Sequence, residues 1–588
     1  MSGKIRTLLE GKGGNYILPF FWQHGEDEET LRRYMQVIQA SNIQEVCVES
    51  RPHPDFAGPK WWKDMDDIGG QVYPQGEDDS YDEGAFRRRD GSFYHYMLGK
   101  LGSSAAAIEP LKQGNSMCEI FGAYGWKEGV KLEKYLVDHF MVRGINHFVP
   151  HAFSPAEFPD PDCPPHFYAQ GHNPQYRHFG ALMAYTNRVL ELLNGGRHIA
   201  PVAVLYHGDA SWSGHAMTSH EVGRKFADSQ LEFDYIPQDV FAEPEMYEMK
   251  IERGMLQVNT QAYRMLFVPE CDYIRTEFAK LIPVLEDNGI EVIFVNGYPK
   301  GIADAQGEDG KKLLAAVKGM ASVLPLLELV DRVREAGAFE IRIAPRNDRI
   351  RFYHYEETDG SAVFLFVNEG TETYQGEIAL EDSRNAYFYD AWKNEVTRAA
   401  YDGKQLSVSI EPFKSCILVL DADTQMPDLT ESFAEKRKGA ERIGFTGGWK
   451  RSLSDAVHYP AFGEEKEVSL PDALEKEEPV WSGIARYTNR FTAESGKGYL
   501  LEITDAAEGV EVFINGKSLG IQVVPVYEYD LTDVVKAGEN EIRIEVATTL
   551  EREMSTVPDP MAEMLGGSQK PENASGLNGQ VLLYERQK

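Results

Sequence analysis

Gly114–Gly129 reads GNSMCEIFGAYGWKEG, and one glutamate, Glu119, is set into its otherwise apolar and aromatic run. The short lead-in Ser116-Met117-Cys118 predicts a buried strand, and Gly122 and Gly125 punctuate a loop that holds Phe121, Tyr124 and Trp126 beside the acid. A carboxylate in such surroundings is costly unless it is paired or used. A sugar-binding catalytic pocket combines these parts: an acid for the chemistry and aromatic faces for stacking on a pyranose. The competing reading is a buried glutamate satisfied by an arginine or by backbone donors.

Outward from this stretch, the pattern is strand and helix in alternation. After Glu119, Glu128–Arg143 reads as a helix with Tyr135, Leu136 and Phe140 on one face, and Asn146–Pro150 as a strand ending at His151. Upstream, Tyr16–Trp22 predicts a strand that ends in Gln23-His24-Gly25-Glu26, followed by a helix carrying Leu31, Tyr34, Met35 and Ile38. A second strand, Glu45–Glu49, runs into Ser50-Arg51-Pro52-His53-Pro54-Asp55 with Trp61 and Trp62 beyond. Polar clusters at the C-terminal ends of successive strands point to the active face of a (β/α)8-type barrel. Asp67–Tyr73, with Gln71, is a further strand candidate, followed by the acidic loop Gln75–Glu83, which includes Glu77. That loop lacks EF-hand spacing, so calcium is only an option and no cofactor is required. A helix over Phe93–Ile108 precedes the Glu119 strand, and a long amphipathic helix, Gln175–Leu193, closes the unit at Gly195-Gly196. These strands number fewer than the eight of a closed barrel, and residues 1–197 fall short of its usual length of about 250. The expectation is an incomplete barrel whose middle strands are missing near Asp64-Met65-Asp66-Asp67.

Residues 198–335 restart as alternating strands and helices, which predicts a flavodoxin-like α/β domain; no GxGxxG loop supports a dinucleotide site. His207, Asp209, Trp212 and Glu270 fall at its strand ends and are candidates for a rim over the barrel, with a structural role preferred. Short strands with frequent turns over 336–424 predict a β-sandwich. A charged linker then opens a second β unit, 425–588, in which Asn515-Gly516 is a strong type I′ hairpin signal.

Composition narrows the function classes. The 588 residues carry 60 Lys and Arg against 93 Asp and Glu, a formal charge of −33, which argues against nucleic acid and anionic membrane surfaces. No apolar run approaches the roughly 20 residues of a membrane span, and the N-terminus lacks the apolar core of a signal peptide, so the expected location is the cytoplasm. Cys47, Cys118, Cys163, Cys271 and Cys416 are far apart and read as reduced residues rather than a zinc site or disulfide frame. Homo-oligomerisation stays open.

Trp481–Tyr487, VEVFINGKSLG at 510–520, Pro525–Asp530 and AGENEIRIEVATTL at 537–550 together resemble the galactose-binding-like jelly-roll of glycoside hydrolase family 2. The stretch from Cys118 to Ser154 resembles the late barrel of glycoside hydrolase family 106, the α-L-rhamnosidase type, in which a glutamate precedes a similar helix and a strand ending near a histidine. PFFWQHGEDE and VESRPHPDF suggest a neighbour of that family rather than a standard member. The resemblance implies a calcium-dependent, inverting glycosidase with Glu119 at a catalytic carboxylate position. Two carboxyl groups are needed, and Glu49 is the first choice for the second, with Glu26 and Glu77 behind it. His24, Arg51, His53, Gln71 and His151 are candidate hydroxyl binders, and Tyr124, Trp126 and Trp61 are candidate stacking surfaces. The alternative is a catalytically impaired carbohydrate-binding or scaffold protein descended from such an enzyme.

Overall fold

The computed structural model describes residues 2–23, 26–41, 43, 46–50, 93–122, 124–160, 164–305, 307–423, 429–558 and 570–587. The Asp67–Tyr73 strand, the acidic loop 75–83 and the suspected join at Asp64–Asp67 lie outside these residues.

Among the described residues, the N-terminal unit is an arc of four parallel strands. Strand β1 (Phe20–Gln23) pairs with β2 (Cys47–Ser50), and β3 (Met117–Ile120) pairs with β4 (His147–Pro150). The chain just before β1 joins the two pairs: Ile17 bridges Phe148 in parallel, Leu18 donates its N–H to Phe148 at 2.9 Å, and Phe148 donates to Tyr16 at 2.9 Å. The spatial order is therefore β3-β4-β1-β2, with the later strands closing onto the first, and all four C-terminal ends share one edge.

Helices cover the outer side. The short α1 (Gly3–Leu9) precedes β1, Asp27 caps α2 (Glu28–Ala40) by accepting from the Thr30 N–H at 2.8 Å, and Tyr34 and Ile38, four residues apart, are the positions this second helix buries. Met35, from the same predicted stripe, is 46% exposed. The helix predicted after the Glu119 loop is α4 (Val130–Met141), reached after α3 (Gly99–Ile108). Leu136, Val137, Phe140 and Met141 of α4 are completely buried, each contributing about 1.5–3 kcal/mol of burial free energy. The long helix α5 (Tyr176–Leu192) packs beside α4, and one apolar core runs from Phe21, Ile120 and Phe148 through Leu136 and Leu182 to Leu365 and Val419.

One predicted barrel helix also covers a second sheet, while Ser103 still donates to the Arg143 carbonyl at 2.6 Å. A π-helical turn (Tyr94–Leu98) leads into α3, which packs on the strand Phe233–Pro237. Ser104 ties it there, donating to Asp234 at 3.0 Å and accepting from the Tyr235 N–H at 3.0 Å. That strand is part of a five-stranded sheet whose order in chain sequence is 2-1-3-4-5 (Val202–Tyr206, Phe233–Pro237, Met265–Val268, Glu291–Val295, Ser322–Leu324), all parallel, the flavodoxin-like order.

Two β units follow. A six-stranded and a three-stranded sheet enclose Phe352, Phe364, Ile378, Leu406 and Leu418; a second pair, of six and four strands, encloses Tyr487, Leu501, Val512, Ile544 and Leu583. The predicted hairpin is present: Asn515 and Gly516 both have positive φ, 52° and 83°, between antiparallel Val510–Ile514 and Lys517–Gln522. Asn515 serves the turn, accepting from the Glu541 N–H at 3.1 Å. Among the described residues no helix is long and apolar enough to cross a membrane.

Candidate active site at the strand ends

Strand alternation decides which way Glu119 points. Its neighbours Cys118 and Ile120 both belong to the helix-packed core, so Glu119 faces the opposite, inner side of the arc. Its register partner Val149 lies on that side too, in a small cluster with Phe20, Ala152 and Leu18 that is separate from the helix-packed core. Glu119 is 2% exposed.

His151 joins it from the end of β4. The His151 N–H donates to Ile120 at 2.8 Å, which fixes the first residue beyond the strand, and its ring stacks on Phe20 with centroids 4.9 Å apart. Phe20 of β1 and His151 beyond β4 thus meet on the face that Glu119 shares.

The other residues expected at the site fall into three groups. Trp126 is half-buried in the loop after β3, edge-on to His166 at 5.5 Å and to Phe158 at 6.2 Å. Tyr124 is 2% exposed and packs into the main apolar core, so its ring supports the loop from behind. Glu26 follows β1, partly exposed, just before α2. Glu49 occupies the third position of β2, in register with Trp22, one residue from the strand's C-terminal end. His24, Arg51, His53, Trp61, Gln71 and Glu77 lie outside the described residues.

The loop after β4 supplies aromatic groups that sequence reading passed over. Phe153 stacks on Tyr168 at 5.4 Å, and Phe158 stacks on His172 at 4.0 Å. Polar contacts shape the same segment: Ser154 donates to Asp160 at 2.6 Å, and Asn173 donates to the His166 carbonyl at 3.0 Å. The signal was in the composition of residues 152–173, dense in Phe, His, Tyr and Pro directly after His151. The C-terminal unit braces this region, since Asn573 donates to the Lys127 carbonyl at 2.6 Å and Lys131 pairs with Asp505 at 3.0 Å.

The proposed rim residues of the α/β domain have local roles. The His207 ring meets the Met217 carbonyl at 3.0 Å, Glu270 accepts from Asn296 at 2.9 Å, and Asp209 lies 3.7 Å from Arg275, while Trp212 is 88% exposed.

One cluster of the described residues has metal-ligand composition: His95, His139 and Glu369, all buried, with ligand atoms within 4.8 Å of one another. Its carboxylate is already paired with cations, and Asp228, 3.1 Å from Arg351, balances the second of them. Arg143 grips Glu369 at 2.6 and 3.1 Å, and Arg351 lies 3.1 Å from the same carboxylate. Burial, reinforced by Arg143, lowers His139 to about 4 and keeps it neutral. Two guanidinium groups beside the carboxylate would repel a divalent cation, so this is an ion network joining α4 to the sandwich.

No family model and no curated protein sequence matches the chain. Among solved structures, the rhamnosidase from Novosphingobium sp. PP1Y is similar with a TM-score of 0.65 and 17% identity over 84% of this chain and 50% of that one. The chain therefore shares that structure's fold over most of its own length, and spans about half the length of that protein. The exo-carrageenase GH42 of Bacteroides ovatus (TM-score 0.34, 12% identity, 51% and 40% of the two chains) and the GH42 β-galactosidase Gan42B (0.36, 9%, 56% and 56%) are more remote.

Proposed function

We propose that this protein is a glycoside hydrolase that removes a terminal sugar from an oligosaccharide or glycoside, with its active site on the inner face of the arc. The observation that carries this reading is the placement of Glu119: a buried carboxylate at the C-terminal end of a parallel strand, on the inner face, beside His151 and Phe20. In parallel α/β architectures that edge is where substrates bind. The glycosidase fold of the rhamnosidase relative supports the same reaction class.

Glycoside hydrolysis needs an acid to protonate the leaving oxygen and a second carboxylate to act as nucleophile or to activate water. Glu119 takes the base or nucleophile role, and Glu49 of β2 is the preferred partner, with Glu26 and Glu77 as further candidates. In this reading His151 holds a sugar hydroxyl, and Trp126 and the Phe158–His172 stack supply ring faces to a pyranose. Arg51, His53, His24, Gln71 and Trp61 complete the proposed set. Calcium stays an option through the acidic loop, the cytoplasm is the proposed location, and the C-terminal unit is proposed as galactose-binding-like.

A panel of nitrophenyl glycosides, including rhamnoside, galactoside and glucuronide, assayed with and without calcium, tests the proposal. Turnover of at least one member is expected. Sugar binding by calorimetry with no turnover would replace hydrolysis by the carbohydrate-binding reading, and neither binding nor turnover would refute both.

A further inference from the structure

We propose that the cleft between the central sandwich and the C-terminal unit is a second carbohydrate site, built for one uncharged pyranose and separate from the Glu119 face. The cleft encloses about 340 Å³ and shares no lining residue with the strand-end site. That volume sits at the small end of the roughly 300–1,000 Å³ of small-molecule sites.

Its walls fix the chemical class of the occupant. Tyr389, Trp392 and Phe433 supply ring surface from two parts of the chain. The Trp392 indole N–H is already spent on the Ile521 carbonyl at 2.6 Å, which pins the ring across the junction and leaves its carbon surface to the cleft. Apolar C–H faces of a sugar suit such a wall.

Charge excludes the main competitors. Three ammonium groups (Lys134, Lys393, Lys414) and four carboxylates (Asp390, Glu395, Glu411, Glu528) line the same space. An anion would meet the carboxylates and an organic cation would meet the ammoniums, whereas a neutral polyol can donate to one set and accept from the other. The lysines are held in place: Lys134 by Asp138, Lys414 by Glu411 and the Val526 carbonyl, and Lys393 by Asp390 at 3.8 Å. A metal ion is disfavoured, because no three-ligand group among the described residues lies here.

Glu528 is the group that asks for a ligand. Its backbone is locked to Gln522 by two hydrogen bonds, at 3.0 and 2.6 Å, but no described residue forms an ion pair or hydrogen bond with its carboxyl. Burial pushes that carboxyl up to about 7 in spite of Lys414. That partly exposed carboxyl faces the cleft with no protein partner among the described residues, which leaves it open to a hydroxyl ligand.

The test uses the full-length Glu119→Gln protein, so that hydrolysis does not consume the probe. Methyl α-L-rhamnoside, methyl β-D-galactoside and methyl β-D-glucoside are titrated by calorimetry, with choline and acetate as cationic and anionic probes. One of the uncharged glycosides is expected to show a binding event in addition to that of the strand-end site, about 10-fold weaker when Glu528→Gln is added, and this additional event is lost when Thr397→Trp fills the cleft. Near-wild-type melting of the isosteric Glu528→Gln protein separates lost binding from misfolding. Binding of choline or acetate alone, binding unchanged by both added substitutions, or no binding at all would overturn the proposal. Failure of the Glu119 reading would show differently, as absence of turnover in the wild-type protein with this binding intact.

Discussion

Glu369 is the residue on which most of the buried charge converges. It is completely buried and accepts from Arg143, with Arg351 and His139 alongside. Burial alone would raise its carboxyl, but Arg143, His139 and Arg351 together hold it well below the usual range. Glu369→Gln leaves Arg143 facing a neutral amide while Arg351 keeps Asp228 at 3.1 Å, and removing one partner from such a network costs about 3–5 kcal/mol. Urea unfolding should register that loss; a change below about 1 kcal/mol would mean the network is solvated and that its arginines find water. Glu119 differs in place, because it sits on the inner face of the arc. The sequence showed Glu119 and His151 as strand-end residues because each closes a short apolar run. It could not show that Tyr124 turns inward while Trp126 stays half-exposed, since two aromatic residues in one loop have the same local pattern and only tertiary packing separates them.

At the level of elements, α3 shows where local pattern stops being informative. Its periodicity marked a helix, but which sheet it covers depends on distant partners: Lys100 bonds Glu232 at 2.7 Å, Ser104 bonds Asp234, and His198 reaches Glu232 at 2.5 Å and Asp234 at 3.5 Å. This anchor gives a pH signature. For His198, burial and Lys100 act downward, yet Asp234 and Glu232 prevail and its pKa is raised. For Asp234, burial acts upward, but His198 and Lys100 bring it down to about 2. The raised histidine contributes stability that is fully present below its unfolded value near 6.5 and fades as pH rises through the folded one; the lowered aspartate contributes above its unfolded value of 3.8 and loses it as pH falls toward 2. A melting-temperature profile should therefore decline on the alkaline side of about 6.5. His198→Gln should flatten that part of the profile, and an unchanged decline would assign it to other groups.

Across the whole molecule, the junction between the C-terminal unit and α4 carries a second titration. Glu508 accepts from the Lys131 N–H at 3.1 Å at the start of α4, close enough that a Cβ on Gly129 would stand 2.4 Å from its carboxyl. That contact explains glycine there without appeal to φ. Burial pushes Glu508 up to about 7, and burial together with the Glu508 charge pushes Glu133 up as well. Carboxyls raised in the folded state stabilise it fully only below their unfolded value of 4.5 and lose that contribution as pH rises through the folded values. Glu133→Gln should accordingly raise the melting temperature at pH 8 and leave it unchanged at pH 4.5; an equal shift at both would indicate packing rather than proton linkage. The order of units along the chain was legible, because flavodoxin-like alternation, sandwich strands and the Asn515-Gly516 turn each have local signatures. The closure of β4 onto β1 through Ile17 and Phe148 was not, since it joins residues more than a hundred apart through backbone hydrogen bonds that no motif encodes. The chain spans half of the rhamnosidase it resembles in fold, and the proposed hydrolysis depends on the face that Glu119 occupies. Its most direct test is Glu119→Gln assayed on whichever aryl glycoside the wild-type protein cleaves, with melting temperatures measured in parallel. The expected result is a fall in kcat of about 10²–10⁴-fold or more with an almost unchanged melting temperature; retained turnover, or loss of activity only through a collapsed melting temperature, would contradict it.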